Sequence, residues 1–231
     1  MQIPQSASRS FEKPIPIVYQ DDDYVVFDKP SGIIVVPSPR GEKNTLVNIV
    51  NHQYAKAPSE PGLYPCHRLD QQTSGLIVFA KGKKKQQLFM DLFKMRQVKK
   101  KYIAFVYGKL RQSYGELRSK IQSIEDRKYH GEDFVKNAVT RYKVLGFKRG
   151  FTVVEVEPLT GRTNQIRIHF SQIGHPLVGE RKYALGKENP FHFRRIALHA
   201  AEIEFRHPIS KKTLNISIDL PKDMEELSAN H

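Results

Sequence analysis

Residues 75–80, GLIVFA, are apolar at every position, so a strand built from them must be covered on both faces. That places a central buried strand in a sheet, and the segments around it fit. Tyr24 to Phe27 and Ile33 to Val36 read as two apolar strands joined by a Lys-Pro-Ser-Gly loop. From Thr45, a residue that can cap, Leu46, Ile49, Val50 and Gln53 fall at helical spacing. Lys83 to Arg96 carries Leu88, Leu92 and Met95 on one stripe with Phe89 and Phe93 beside it, and the opposite face is basic. KKYIAFVYGKL returns to strand composition, and Tyr102, Ala104 and Val106 share one of its faces. Two alternating runs flank the Lys148-Arg149-Gly150 turn as a hairpin. Ile166, Phe170 and Ile173 predict a helix stopped at Gly174. Residues 196–221 predict two strands joined at His207-Pro208. The sum is an α+β fold around a mixed, mainly antiparallel sheet flanked by helices. A flexible arm over 1–16 precedes one domain over 17–225, with 111–137 as an inserted hairpin or loop.

The chain of 231 residues is long enough for that core, and 38 basic against 24 acidic residues leave a formal charge of +14. With no amphipathic anchor in view, such a field favours a polyanionic partner, nucleic acid first. A single cysteine, Cys66, excludes an internal disulfide and a multi-cysteine zinc site. Cys66 beside His67 reads as a small buried residue rather than a thiol nucleophile. The polar, proline-broken N-terminus has no apolar signal region and no apolar run is long enough to span a bilayer, so a cytoplasmic location without membrane contact is expected.

Just before the buried run stands His67-Arg68-Leu69-Asp70, with Thr73 after it. An aspartate in such a loop is either a local turn acceptor or a reactive group on a rigid support, and spacing alone leaves both open. Four segments narrow the choice: HRLDQQTSGLIVFAK, KKKYIAFVYG, GRTNQIRIHFSQIGHPLVGERKY and ALHAAEIEFRHP. In that order they resemble the RluA-type pseudouridine synthases, from about Asp23 to Pro221. The resemblance implies a single pseudouridine-synthase-like domain that isomerises a uridine in ribosomal (large-subunit) or transfer RNA, without cofactor or metal. It implies Asp70 as the essential aspartate, Tyr102 and Arg167 as active-site tyrosine and arginine, and Arg68 as a residue that helps replace the extruded nucleotide. His67 and Thr73, in the same motif, are expected at the RNA.

The residue chemistry agrees. Breaking a glycosidic bond builds positive charge on the sugar, which a carboxylate can stabilise, attack, or relieve by taking a ribose proton. Burial would raise the pKa of Asp70, and a guanidinium at Arg167 can reverse that shift through bidentate pairing. Tyr102 is either a core aromatic or a platform for the flipped uracil. Arg162 and Gln165, at the start of the Ile166 helix, can contact RNA or order the Asp70 loop. Lys83, Lys84 and Lys85 are either a solvated helix face or phosphate contacts. His67, His169, His175 and His199 lack metal-ligand spacing and are expected to make structural hydrogen bonds. Gln72 and Asn164 stand where the family often has an acidic residue and a histidine, which leaves the RNA target open. The early start of the domain implies no S4-like domain in front. A non-catalytic RNA-binding or RNA-folding protein on the same fold is the competing reading, while a hydrolytic glycosidase or nuclease would need a second carboxylate or a metal cluster near Asp70. With no sustained heptad in any helix, a monomer is expected.

Overall fold

A computed structural model describes residues 14–38, 41–54, 61–122, 135–184, 186 and 189–230. Among these, ten strands form one sheet: β1 (Ile17–Gln20), β2 (Tyr24–Lys29), β3 (Leu63–Pro65), β4 (Ser74–Lys81), β5 (Val98–Tyr107), β6 (Tyr114–Ile121), β7 (Lys136–Lys148), β8 (Phe151–Pro158), β9 (Leu198–Arg206) and β10 (Thr213–Ser217). The order is β1-β2-β4-β9-β5-β8-β7-β6, with β3 also on β4 and β10 on β9. Pairing is antiparallel except between β4 and β9. Four helices accompany the sheet: α1 (Leu46–Tyr54), α2 (Lys83–Lys94), α3 (Gln165–Gln172) and α4 (Lys222–Ala229).

The all-apolar run does sit at the centre. Alternate residues of β2 and β4 serve different layers: Val25, Phe27, Ile77 and Phe79 pack with Leu46 and Val50 of α1. Tyr24, Val26, Leu76, Val78 and Ala80 pack with Phe89 and Leu92 of α2. Two covered faces remove the need for polar alternation.

Two details set the site. The parallel contact of β4 with β9 is confined to Ser74 opposite His199 and Gly75 opposite Ala200. Gly75 has φ +112°, and a Cβ there would come within 2.3 Å of the Ala200 carbonyl oxygen. Between β5 and β9 the register slips at Lys101/Tyr102, because Glu202 faces Lys101 while Ala200 faces Tyr102. A bulge at this point bends the strand and re-aims its neighbours.

Several expectations need correction. Ile33 to Val36 is not a strand. Ile33 and Val35 are buried, but the carbonyls of Ile34 and Val35 accept the N–H groups of Leu46 and Val47, so the segment seats the start of α1 instead of pairing in the sheet. On α2 the buried residues are Phe89 and Leu92, while Leu88 and Met95 lie exposed. The 111–137 segment, expected as an inserted hairpin or loop, contributes the strand β6, which pairs antiparallel with β7 along its length in line with the hairpin alternative; residues 123–134 and the arm up to residue 13 lie outside the described residues. The chain ends in α4, which extends beyond residue 225 and buries Met224 and Leu227 beside Phe105 and Phe151.

Candidate active site

Asp70 lies in the loop between β3 and β4, and its support comes from the Lys-Pro-Ser-Gly loop that follows β2. Lys29 is wholly buried, and its ammonium donates to the carbonyls of Pro30, Gln71 and Thr73 at 3.0, 3.3 and 2.7 Å. The Gly32 N–H donates to the Gln71 carbonyl, Ser31 Oγ to the Gln72 carbonyl, and Gln71 Nε2 back to the Gly32 carbonyl. The Thr73 N–H closes the turn on the Asp70 carbonyl at 3.0 Å. A fully buried ammonium is costly unless its donors are met, and here three carbonyls meet them. Burial still pulls the Lys29 pKa down to about 7, against the pull of the nearby Asp70 charge. The sequence reading treated Lys29 as part of a connecting loop; its role as a clasp depends on contacts 42 and 44 residues away.

Arg167 projects from the first turn of α3, which begins after Asn164 in a left-handed conformation (φ 56°). Its Nη1 lies 3.7 Å from Asp70 Oδ2. The bidentate partner, however, is Glu180, which accepts from Nε at 2.8 Å and from Nη2 at 3.0 Å. Asn164 Oδ1 accepts from Nη1, and the Tyr183 ring lies 5.2 Å from the guanidinium carbon. Burial alone would raise the Glu180 carboxyl, but Arg167 and the N–H groups of Tyr183 and Lys182 outweigh it and hold it below the usual range. Glu180 was missed, although it stands inside the motif GHPLVGERKY.

The sharing has an electrostatic result. Burial raises the Asp70 pKa, and Arg167, Arg68 and Lys29 oppose that rise without cancelling it. The expectation that Arg167 would reverse the shift is therefore corrected: the guanidinium is committed chiefly to Glu180.

Tyr102, on β5 at the bulge, is nearly buried, and burial followed by the Asp70 charge raises its hydroxyl pKa. Among the described residues the hydroxyl has no hydrogen-bond partner, so it is available to the cavity. Asp70, Tyr102 and Arg167 all line one cavity of about 510 Å³, together with Arg68, Thr73 and Arg162. The cavity suits a nucleotide-sized ligand.

Other residues singled out in the sequence have hydrogen bonds or ion pairs within the fold. Although His67 borders the cavity, its Nε2 accepts the Val78 N–H at 3.1 Å and its ring packs on Phe93, so it belongs to the scaffold. Gln165 is 4% exposed; its Oε1 accepts from Thr160 Oγ1 and the Arg162 N–H, and its Nε2 donates to the Val139 carbonyl and Thr140. It ties the 160–162 loop to β7 and makes none of these bonds to the Asp70 loop. Lys83, Lys84 and Lys85 lie outside the cavity lining, and Lys85 pairs with Asp23 at 2.7 Å. His169, His175 and His199 bond Thr140, the Tyr107 carbonyl and Ser74 inside the fold. The cluster Asp21, Asp23 and His207 also stands apart from this cavity. Glu180, though close to Asp70 through Arg167, has no exposed side-chain surface and so offers no second acid to a substrate.

Known proteins resemble this chain over most of its length. The family model described as RNA pseudouridylate synthase matches residues 23–172. An uncharacterized RNA pseudouridine synthase, YhcT, of Bacillus subtilis is 34% identical, covering 91% of this chain and 70% of its own. The dual-specificity RNA pseudouridine synthase RluA of Haemophilus influenzae is 35% identical, with coverage of 87% and 91%. Ribosomal large subunit pseudouridine synthase D of Xylella fastidiosa is 33% identical, with coverage of 94% and 69%. Among solved structures, human RNA pseudouridylate synthase domain containing 1 is similar with a TM-score of 0.72 at 27% identity, covering 99% of this chain and 90% of the other.

Proposed function

The chain belongs to the RNA pseudouridylate synthase family, in its RluA-type branch, and from that premise we propose that it isomerises uridines in structured ribosomal or transfer RNA with Asp70, Tyr102 and Arg167 as the reacting set. The observation that carries the reading is that these three side chains, from three distant segments, meet on one cavity, with Arg167 Nη1 3.7 Å from Asp70. A relative named for the large ribosomal subunit favours ribosomal RNA among the substrates.

The target uridine leaves its helix to enter the cavity, because a stacked base cannot bring its ribose to Asp70. Its ring stacks on Tyr102, an interaction typically about 1–3 kcal/mol per base. The C1′–N1 bond then breaks with both electrons going to N1. Asp70 meets the positive charge left on the sugar, by attack at C1′ or by taking a ribose proton. The freed base turns and C5 bonds to C1′ as the Asp70–C1′ bond breaks or as Asp70 returns the ribose proton; the C5 proton then leaves and N1 takes up a proton. Arg167, held by Glu180, keeps Asp70 ionised enough to act, and Arg68 fills the space left in the RNA.

Release of tritium from C5-labelled uridine in RNA tests this directly. The protein should release it, and Asp70→Asn should lower the rate by at least about 10³-fold, the scale of losing an essential group, with RNA binding kept. An active Asp70→Asn protein would overturn the assignment.

A further inference from the structure

Past Tyr102 the cavity continues toward α2, where Cys66, His67, Phe93 and Lys100 line it. Three lysines run in sequence here, and they differ. Lys99 and Lys101 point to the other face of β5 and pair with Glu204 at 2.8 Å and Glu202 at 3.2 Å. Lys100 shares the Tyr102 face and, among the described residues, has no carboxylate within ion-pair distance. Its ammonium lies 5.3 Å from the Phe93 ring centroid and 6.0 Å from that of Tyr102. A half-buried charge held near ring faces, with no counter-ion among the described residues, is only partly hydrated. Among the described residues, therefore, the cavity carries a cation with no anionic partner beside it.

We propose that Lys100 is a further catalytic residue, which holds the uracil anion released when the glycosidic bond breaks. The proposal rests on the isomerase reading above. Bond cleavage places negative charge on N1 that spreads to the O2 and O4 carbonyls, and the charge disappears again when C5 joins C1′. An ammonium beside the stacking surface is attractive to that intermediate and nearly indifferent to neutral uridine, which is the condition for lowering the barrier. Arg167 is poorly placed for this work, since Glu180 takes Nε and Nη2 while Asn164 and Asp70 take Nη1. His67 does not compete, because burial, aided by the Lys100 charge, holds its pKa down to about 3 and keeps the ring neutral.

The test compares the wild type with Lys100→Met and Lys100→Arg on one RNA carrying uridine or 5-fluorouridine at the target position. Single-turnover loss of the parent nucleoside is followed by chromatography after digestion. Fluorine withdraws electrons and stabilises the free base anion, so the variant needs the lysine less on that RNA. Lys100→Met should lose about 10²-fold on uridine, the scale of losing one charge-stabilising donor. On 5-fluorouridine the loss should be markedly smaller, RNA affinity should be unchanged, and Lys100→Arg should recover much of the rate. Burial brings the Lys100 pKa down to about 8, so the wild-type rate should also fall as pH rises through that value, while Lys100→Arg stays active higher. Equal losses on both RNAs, a loss of affinity alone as for a phosphate contact, or an unimpaired Lys100→Met protein would each overturn the role of Lys100 while leaving the isomerase reading intact. A wild type inactive on every uridine RNA would overturn both.

Discussion

Glu180 shows how one residue can govern a site it does not enter. It takes two of the guanidinium's N–H groups and three backbone N–H groups, so Arg167 stands where Glu180 allows. Glu180→Gln should lower the single-turnover rate by about 10²-fold through misplacement of Arg167, with RNA affinity within about twofold. Single-turnover kinetics beside a binding titration checks this; an unaltered rate would remove Glu180 from the positioning of Arg167. That Asp70, Tyr102 and Arg167 would share one cavity was legible through the family resemblance, because its motifs are local strings. Glu180 was not legible as a partner, since its pairing with a residue 13 positions away is decided by the turn after α3. The inward hydrogen bonds of His67 and Gln165 were not legible for the complementary reason: a polar residue in a motif does not disclose whether its hydrogen bonds go inward.

Among elements, the junction of β4 with β9 is the most demanding. Gly75 must hold φ +112° and leave room for the Ala200 carbonyl. Gly75→Ala should cost at least about 3 kcal/mol, since strain and a backbone clash coincide. Gly146→Ala, where a Cβ meets nothing within 4 Å, should cost far less. Denaturant unfolding of the two variants separates the cases, and equal midpoints would contradict the account. At this scale the buried run, α2, α3 and the hairpin of β7 with β8 were readable from periodicity. Ile33 to Val36 was not, because alternating burial is the same for a strand and for a packed loop whose carbonyls seat a helix. Neither was the buried stripe of α2, where Phe89 and Leu92 take the core and leave Leu88 outside. The helix α4 is eight residues long and half of them are charged, too short for a periodic signal.

For the molecule as a whole, the α+β class followed from pattern, a polyanionic partner from charge and RNA from the family resemblance, while acid sensitivity needs the structure. Burial holds the pKa of His67 down to about 3 and that of His199 down to about 4. In the unfolded chain both rings return to about 6.5. Between those limits the unfolded chain binds protons that the folded one refuses, so stability present above about pH 6.5 is lost as pH falls toward 4. Thermal melts at pH 7, 6 and 5 should show the midpoint dropping, and His199→Asn should flatten the slope. A midpoint constant over that range would mean that the rings do not stay neutral in the fold.

The clasp of Lys29 on the carbonyls of residues 71 and 73 bears on which uridines can be modified. Under the proposed function, a loop tied from beneath predicts a site already in its working shape, with the motion left to the RNA. Discrimination among uridines then becomes a matter of how often each one spends time outside its stack. A tightly paired uridine with the right neighbours would be passed over, and a poorly paired one with indifferent neighbours would be taken.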